Sequence, residues 1–298
     1  MLALSVMALS PLCAQPVQAQ DTLSVMSFGG AYQDAQRKAV FETYTASTGI
    51  KIDEQEYGGE IAKIKAMIQS GNTTVDAVDV DAPTLLQGCD EGIFEKIDWA
   101  KIGPEDDWIK GTTSDCGVGT IVYATILAYD GAKLKDGPKT IKDLFDTKKF
   151  PGKRGLWKNP ATNLEFALLA DGVAPNNVYE TLSTPEGVDR AFAKLDTIKD
   201  SIVWWEAGAQ PPQYLASGDV VMSSAYNGRI AAVQKESNLK IVWNGGIYDF
   251  DAWAIPKGAK KKDESLKFIA FSVQPEQQKT YSENIAYGPV NKNAVPLL

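Results

Sequence analysis

In the run Tyr226-Asn227-Gly228-Arg229 a permanent cation stands three positions after an aromatic ring. The planar fork of an arginine is shaped to grip a carboxylate through two parallel hydrogen bonds. Further along, Asp249 and Asp251 flank Phe250, and a carboxylate is the natural partner of an ammonium group. Arg229 could instead turn outward or pair structurally with either aspartate. Asp81, in Val-Asp-Val-Asp-Ala-Pro, follows a strand-like stretch and could meet a ligand or cap the next helix. What is missing narrows the chemistry. The chain has no histidine, which removes the commonest general base and metal ligand and every His-dependent triad. It has no G-x-S-x-G elbow and no phosphate-binding loop, and Gly117-Val118-Gly119 lacks the third glycine of a dinucleotide fingerprint. Paired carboxylates alone would suit glycoside hydrolysis, a weak case because acidic residues are common. The expectation is a binding protein rather than an enzyme, with no cofactor and no metal.

Those residues sit in a chain of ordinary globular composition, 44% hydrophobic, with 30 basic and 38 acidic side chains and a net charge of −8. Acidity argues against nucleic acid, which wants a basic surface. Residues 1–20 carry no charge and end in the small-x-small pattern Val17-Gln18-Ala19, so residues 1–19 are expected to be a cleaved signal peptide. The usual basic leader is missing, so the start could be an internal methionine of a longer precursor. Leu12 before Cys13 does not suit lipoprotein processing. Export leaves Cys89 and Cys116 in an oxidising compartment, where a disulfide between them is expected.

Elements able to position the charges alternate along the chain. A strand over 22–28 leads through Gly29-Gly30 into a helix with Ala35, Ala39, Val40 and Tyr44 on one side, stopped near Gly49. A strand near 51–57 precedes a helix with Ile61, Ile64 and Ile68 on one face, stopped at Gly71, and Val75–Val80 is a third strand. This predicts a parallel, helix-covered sheet with its ligand at the carboxyl ends of the strands. After a strand-like run Thr120–Tyr129, a second set of elements begins. It includes a Pro/Gly/Lys-rich patch at 150–155 and a helix capped by Thr184-Pro185 with Val188, Ala191, Phe192 and Leu195 in its core stripe. A last stripe, Leu266, Ile269, Ala270 and Val273, belongs with the first set.

Four segments in order, MSFGGAYQDAQ, WWEAGAQPPQYLASGDVVMSSAYNGR, GGIYDFDAWAIPKGA and ENIAYGPVNKNA, resemble the spermidine/putrescine-type solute-binding proteins of ABC importers across essentially the whole mature chain. The resemblance implies a periplasmic-binding-protein-like α/β fold of two lobes joined by crossover hinge segments, with a small molecule in the cleft between them. Lobe 1 is expected over 20–125 and 256–298 and lobe 2 over 126–255. It also implies a periplasmic monomer delivering its ligand to an ABC permease in the inner membrane. Family members normally continue past the position of Leu298 with a segment that packs back on a lobe, so the C-terminus could be a truncation.

By the same resemblance, Phe28 packs on the ligand's methylene chain, Asp81 reaches it from lobe 1, Tyr226 stacks on it and Tyr287 closes over it. Asp251 holds its ammonium, and Trp205 is a further wall, one of the Trp204-Trp205 pair being core. The exposed N–H groups at Gly29-Gly30 would suit an anion. Departures from the pattern matter most. In Trp157–Leu168 the family places carboxylates for further amino groups, where this chain has Ala161 and Leu164. Arg229 adds a cation that would repel a dication. Together with Asp251 it predicts a zwitterion, an ω-amino acid such as γ-aminobutyrate. A polyamine is the alternative. A ferric ion ranks lower, because Tyr226, Tyr248 and Tyr287 are scattered.

Overall fold

The structure, a computed structural model, describes residues 21–298. The expected signal peptide, Cys13 included, lies outside the described residues. β1 (Thr22–Ser27) buries Leu23 and Val25 on one face and Met26 on the other, the period-2 alternation of a strand covered on both sides. Gly29 and Gly30 follow at φ 64° and 55°, a left-handed bend that side chains rarely adopt. α1 (Gly30–Gln36) runs through a π-helical turn (Arg37–Phe41) into α2 (Glu42–Thr48), which stops at Gly49 as expected.

The first set continues with β2 (Lys51–Glu56), α3 (Ile61–Gln69) and β3 (Ala77–Asp81), then α4 (Ala82–Asp90), α5 (Trp99–Ile102) and β4 (Thr113–Ser114). Cys89 near the end of α4 is disulfide-bonded to Cys116, with 6.0 Å between Cα atoms. β5 (Gly117–Asp130) starts ahead of the expected strand because Gly117 and Gly119 belong to it. A Cβ on Gly119 would lie 2.5 Å from the carbonyl oxygen of Thr112, so these glycines permit close strand packing rather than a turn.

The second set comprises β6 (Arg154–Trp157), α6 (Asn163–Ala170), α7 (Val178–Leu182), α8 (Pro185–Asp196), β7 (Ile202–Trp205) and α9 (Gln210–Ser217). β8 (Met222–Tyr226), α10 (Asn227–Val233) and the long β9 (Leu239–Ala254) complete it. The Pro/Gly/Lys patch before β6 is pinned by Arg154. Fully buried, Arg154 donates to the carbonyls of Leu144, Asp146, Phe150 and Gly152. α8 is capped by Thr184, whose hydroxyl accepts from the Gly187 N–H. Phe192 leaves its expected core stripe and is 51% exposed, because the buried face centres on Gly187, Ala191 and Leu195.

One sheet joins everything in the order β2-β1-β3-β9-β5-β8-β6-β7. Its flanks are parallel, as expected, but β3-β9, β9-β5 and β5-β8 are antiparallel. The sheet is therefore mixed, since β5 and β9 form one long antiparallel ladder across its middle. β5 passes from one hydrophobic core at Ile121 to another at Leu127, and β9 returns from the latter at Val242 to the former at Trp253. α11 (Lys262–Ser272) and α12 (Pro275–Asn284), with Val273 just past the end of α11, bury Leu266, Phe268, Ile269, Val273 and Tyr281 in the first core, and β10 (Gly288–Pro289) pairs with β5. Among the described residues, no helix is long and apolar enough to cross a membrane.

Candidate functional site

The crossing strands, the ends of β1, β3 and β8, and the first turns of α1 and α10 surround a cavity of about 30 Å³. Of the residues expected at a ligand, Phe28, Asp81, Tyr226, Arg229, Asp251 and Tyr287 line it.

Arg229 enters from the first turn of α10 and is 4% exposed. Nη2 donates to the Phe28 carbonyl at 3.3 Å, and the guanidinium stands 5.4 Å from the centre of the Tyr32 ring, a cation–π contact. Nε and Nη1 have no hydrogen-bond partner among the described residues, and Arg229 forms no ion pair with Asp249 or Asp251 there. Gly30 makes room for it, since a Cβ there would sit 3.0 Å from Nη1. The Gly29 N–H expected to be free for an anion donates instead to Gln33 Oε1 at 3.2 Å.

The carboxylates come from the neighbouring strands. β3 and β9 run antiparallel with Asp81 directly opposite Asp251 and Asp79 opposite Trp253, so all three aspartates lie on one face. Asp81 serves both alternatives at once, lining the cavity and capping α4 through its Oδ1, which accepts from the Thr84 N–H at 2.9 Å. Burial holds both cavity carboxyls above the usual carboxylate range, and Asp79 pushes Asp251 further. Like charges sharing a desolvated space resist ionising together. The arrangement is a cation fork facing two acids inside an aromatic box.

Three aromatic walls escaped sequence reasoning: Tyr32, Tyr123 and Trp157. Trp157 ends β6 and Tyr32 sits in the first turn after β1, so both follow the carboxyl end of a strand, the signal that could have found them. Trp205 was expected to be a wall and is not. It is fully buried, stacked on Trp157 at 5.8 Å and 16°, because β6 and β7 pair these two residues side by side; it also meets the Tyr226 ring edge-on at 5.4 Å. Trp205 braces two cavity rings from behind, while Trp204 is the exposed member of the pair. Ala161 and Leu164 do not line the cavity. Tyr226 and Tyr287 meet Tyr32 and Tyr123 around it, so they are less scattered than expected, but Tyr248 is 83% exposed and lines a separate groove with Asp249 and Glu165.

Residues 39–297 match the family of bacterial extracellular solute-binding proteins, and the chain belongs to that family. A gamma-aminobutyric acid-binding protein of Pseudomonas aeruginosa is 52% identical over 296 residues, which cover 99% of this chain and 84% of that protein. A spermidine/putrescine-binding periplasmic protein of Escherichia coli K12 is 24% identical, covering 87% of this chain and 76% of that protein. A solved structure of a GABA receptor is 36% identical with a TM-score of 0.81, covering 93% of this chain and 85% of that one. The relatives are solute binders rather than enzymes, and the fold is that of periplasmic binding proteins.

Proposed function

We propose that this protein is the periplasmic binding component of an ABC importer and that it captures a small ω-amino acid such as γ-aminobutyrate. The observation that carries the reading is Arg229. A buried guanidinium with two unmatched nitrogens, facing Asp81 and Asp251 across an aromatic cavity, is complementary to a molecule with a carboxylate at one end and an ammonium at the other. The ligand carboxylate takes Nε and Nη1, its ammonium lies between the two aspartates, and its methylenes lie against Phe28, Tyr226 and Tyr287. A polyamine would set a second ammonium against Arg229. The 52% identity to a gamma-aminobutyric acid-binding protein supports the same choice.

Two lobes, one built on the first set of elements and one on the second, close over the ligand, with the β5–β9 ladder as the hinge. The residues that line the cavity are buried or half-buried, so capture needs the lobes to separate and re-close, the closed form being the one offered to the permease. The working form is a monomer, exported after removal of residues 1–19. In calorimetry with γ-aminobutyrate, Arg229→Ala should retain its fold and lose about 3 kcal/mol or more of binding. Unchanged affinity in that variant would overturn the zwitterion reading.

A further inference from the structure

Behind the cavity, Asp79 is fully buried and does not reach the lining. Its Oδ2 accepts from Tyr32 Oη at 2.7 Å and Gln36 Nε2 at 2.6 Å, with Ser27 Oγ 3.4 Å away and donating to Gln36 Oε1 at 2.6 Å, while Oδ1 has no partner among the described residues. The Tyr57 hydroxyl donates to its backbone carbonyl. The titratable and charged groups around it are Asp81 on β3, Asp251 on β9, Tyr32 on α1, Tyr281 on α12 and Tyr57 after β2, with Arg229 beyond the Tyr32 ring. No lysine or arginine among the described residues forms an ion pair with Asp79, Asp81 or Asp251. None of the three carboxyls on this buried face is paired with a cation, since Arg229 is engaged by the Tyr32 ring and the Phe28 carbonyl. Full ionisation would leave three unpaired negative charges in a desolvated space.

We propose that Asp79 is a positioning residue that keeps a proton among these three carboxyls in the ligand-free protein, and that the arriving ammonium releases that proton to solvent. This rests on the ω-amino acid reading of the site. The proton resides on Oδ1, because Oδ2 already accepts from Tyr32 and Gln36 and the neutral acid leaves no unpaired charge in the buried space. Tyr32, held by Asp79 below and facing Arg229, keeps the acid pair and the guanidinium in register. When the ligand carboxylate pairs with Arg229, its ammonium supplies the charge that lets Asp251 and its neighbours ionise together. Proton out and ammonium in leave the net charge of the aspartate cluster plus ammonium unchanged.

The direction of the pH dependence follows. A bound cation favours ionised carboxyls, so binding releases a proton and affinity rises with pH until the free cluster is itself deprotonated. Burial pushes Asp79 up to about 7, which places the change below and around neutrality. The ligand's own amine and carboxylate do not titrate there.

The test is calorimetry with γ-aminobutyrate from pH 5.5 to 8, in buffers of different ionisation enthalpy. Affinity should fall by up to about tenfold per pH unit below 7, with buffer-dependent heat corresponding to one proton released at the acid end. In Asp79→Asn, whose amide replaces the protonated acid, the slope should flatten to less than about twofold over the same range. Tight binding at pH 8 with equal affinity at pH 5.5 and no buffer-dependent heat would overturn the proton linkage and leave the ligand reading intact. No binding at any pH would overturn both. Should Asp79→Asn fail to fold, the wild-type buffer series alone decides.

Discussion

A guanidinium buried with two unmatched nitrogens is costly to a folded chain unless something arrives to match them, and Arg229 stands in that condition at the centre of the cavity. Asp79 carries a second such cost, which pH can change. Its carboxyl is pushed up to about 7 in the fold by burial, so the folded state binds a proton more tightly than the unfolded chain. That contribution is fully present below the ordinary carboxylate pKa and is lost as pH rises through 7. Without ligand, Asp79→Asn should therefore melt higher than the wild type at pH 8 and show no such advantage at pH 4, as differential scanning calorimetry would reveal. At this scale Arg229 was legible as a departure from the family pattern, and Asp251 and Asp81 through the resemblance together with the chemistry of a carboxylate. Tyr32, Tyr123 and Trp157 did not stand out, because a tyrosine or tryptophan in an apolar stretch is core or cavity according to which strand it meets. Trp157 faces the cavity only because Trp205 lies beside it on β7.

Elements were legible where local rules bind them. Gly49 stops α2 and Thr184 caps α8, each needing only its neighbours. The antiparallel middle of the sheet was not legible, because the strand-like run at β5 does not say which way its neighbour runs, and β9 was not picked out from the sequence. The function of the 150–155 patch was equally hidden. Its Pro and Gly mark a loop, but nothing local says that Arg154 holds the loop by four carbonyls. Arg154→Ala leaves those carbonyls buried without donors and should cost about 3 to 5 kcal/mol, lowering Tm by roughly 10 °C. A thermal melt unchanged within a degree or two would show that the loop is held otherwise.

On the scale of the whole molecule, four buried clusters among the described residues share one sheet, two on the first set of elements and two on the second, and the charged cavity lies where β5 and β9 cross between the sets. Each half alone carries part of the site: Asp81, Asp251 and Phe28 belong with the first core, Tyr226 and Arg229 with elements of the second set. A ligand touching both sides favours the closed arrangement by its differential contacts, and a zwitterion does so with opposite charges at its two ends. The measurement that bears most directly on this account is a side-by-side titration of the wild-type protein with γ-aminobutyrate and with putrescine, which replaces the carboxylate by a second ammonium. The account predicts saturable calorimetric binding of γ-aminobutyrate and at least a hundredfold weaker binding of putrescine, the equivalent of about 3 kcal/mol. Putrescine binding as tightly as γ-aminobutyrate, or more tightly, would contradict it.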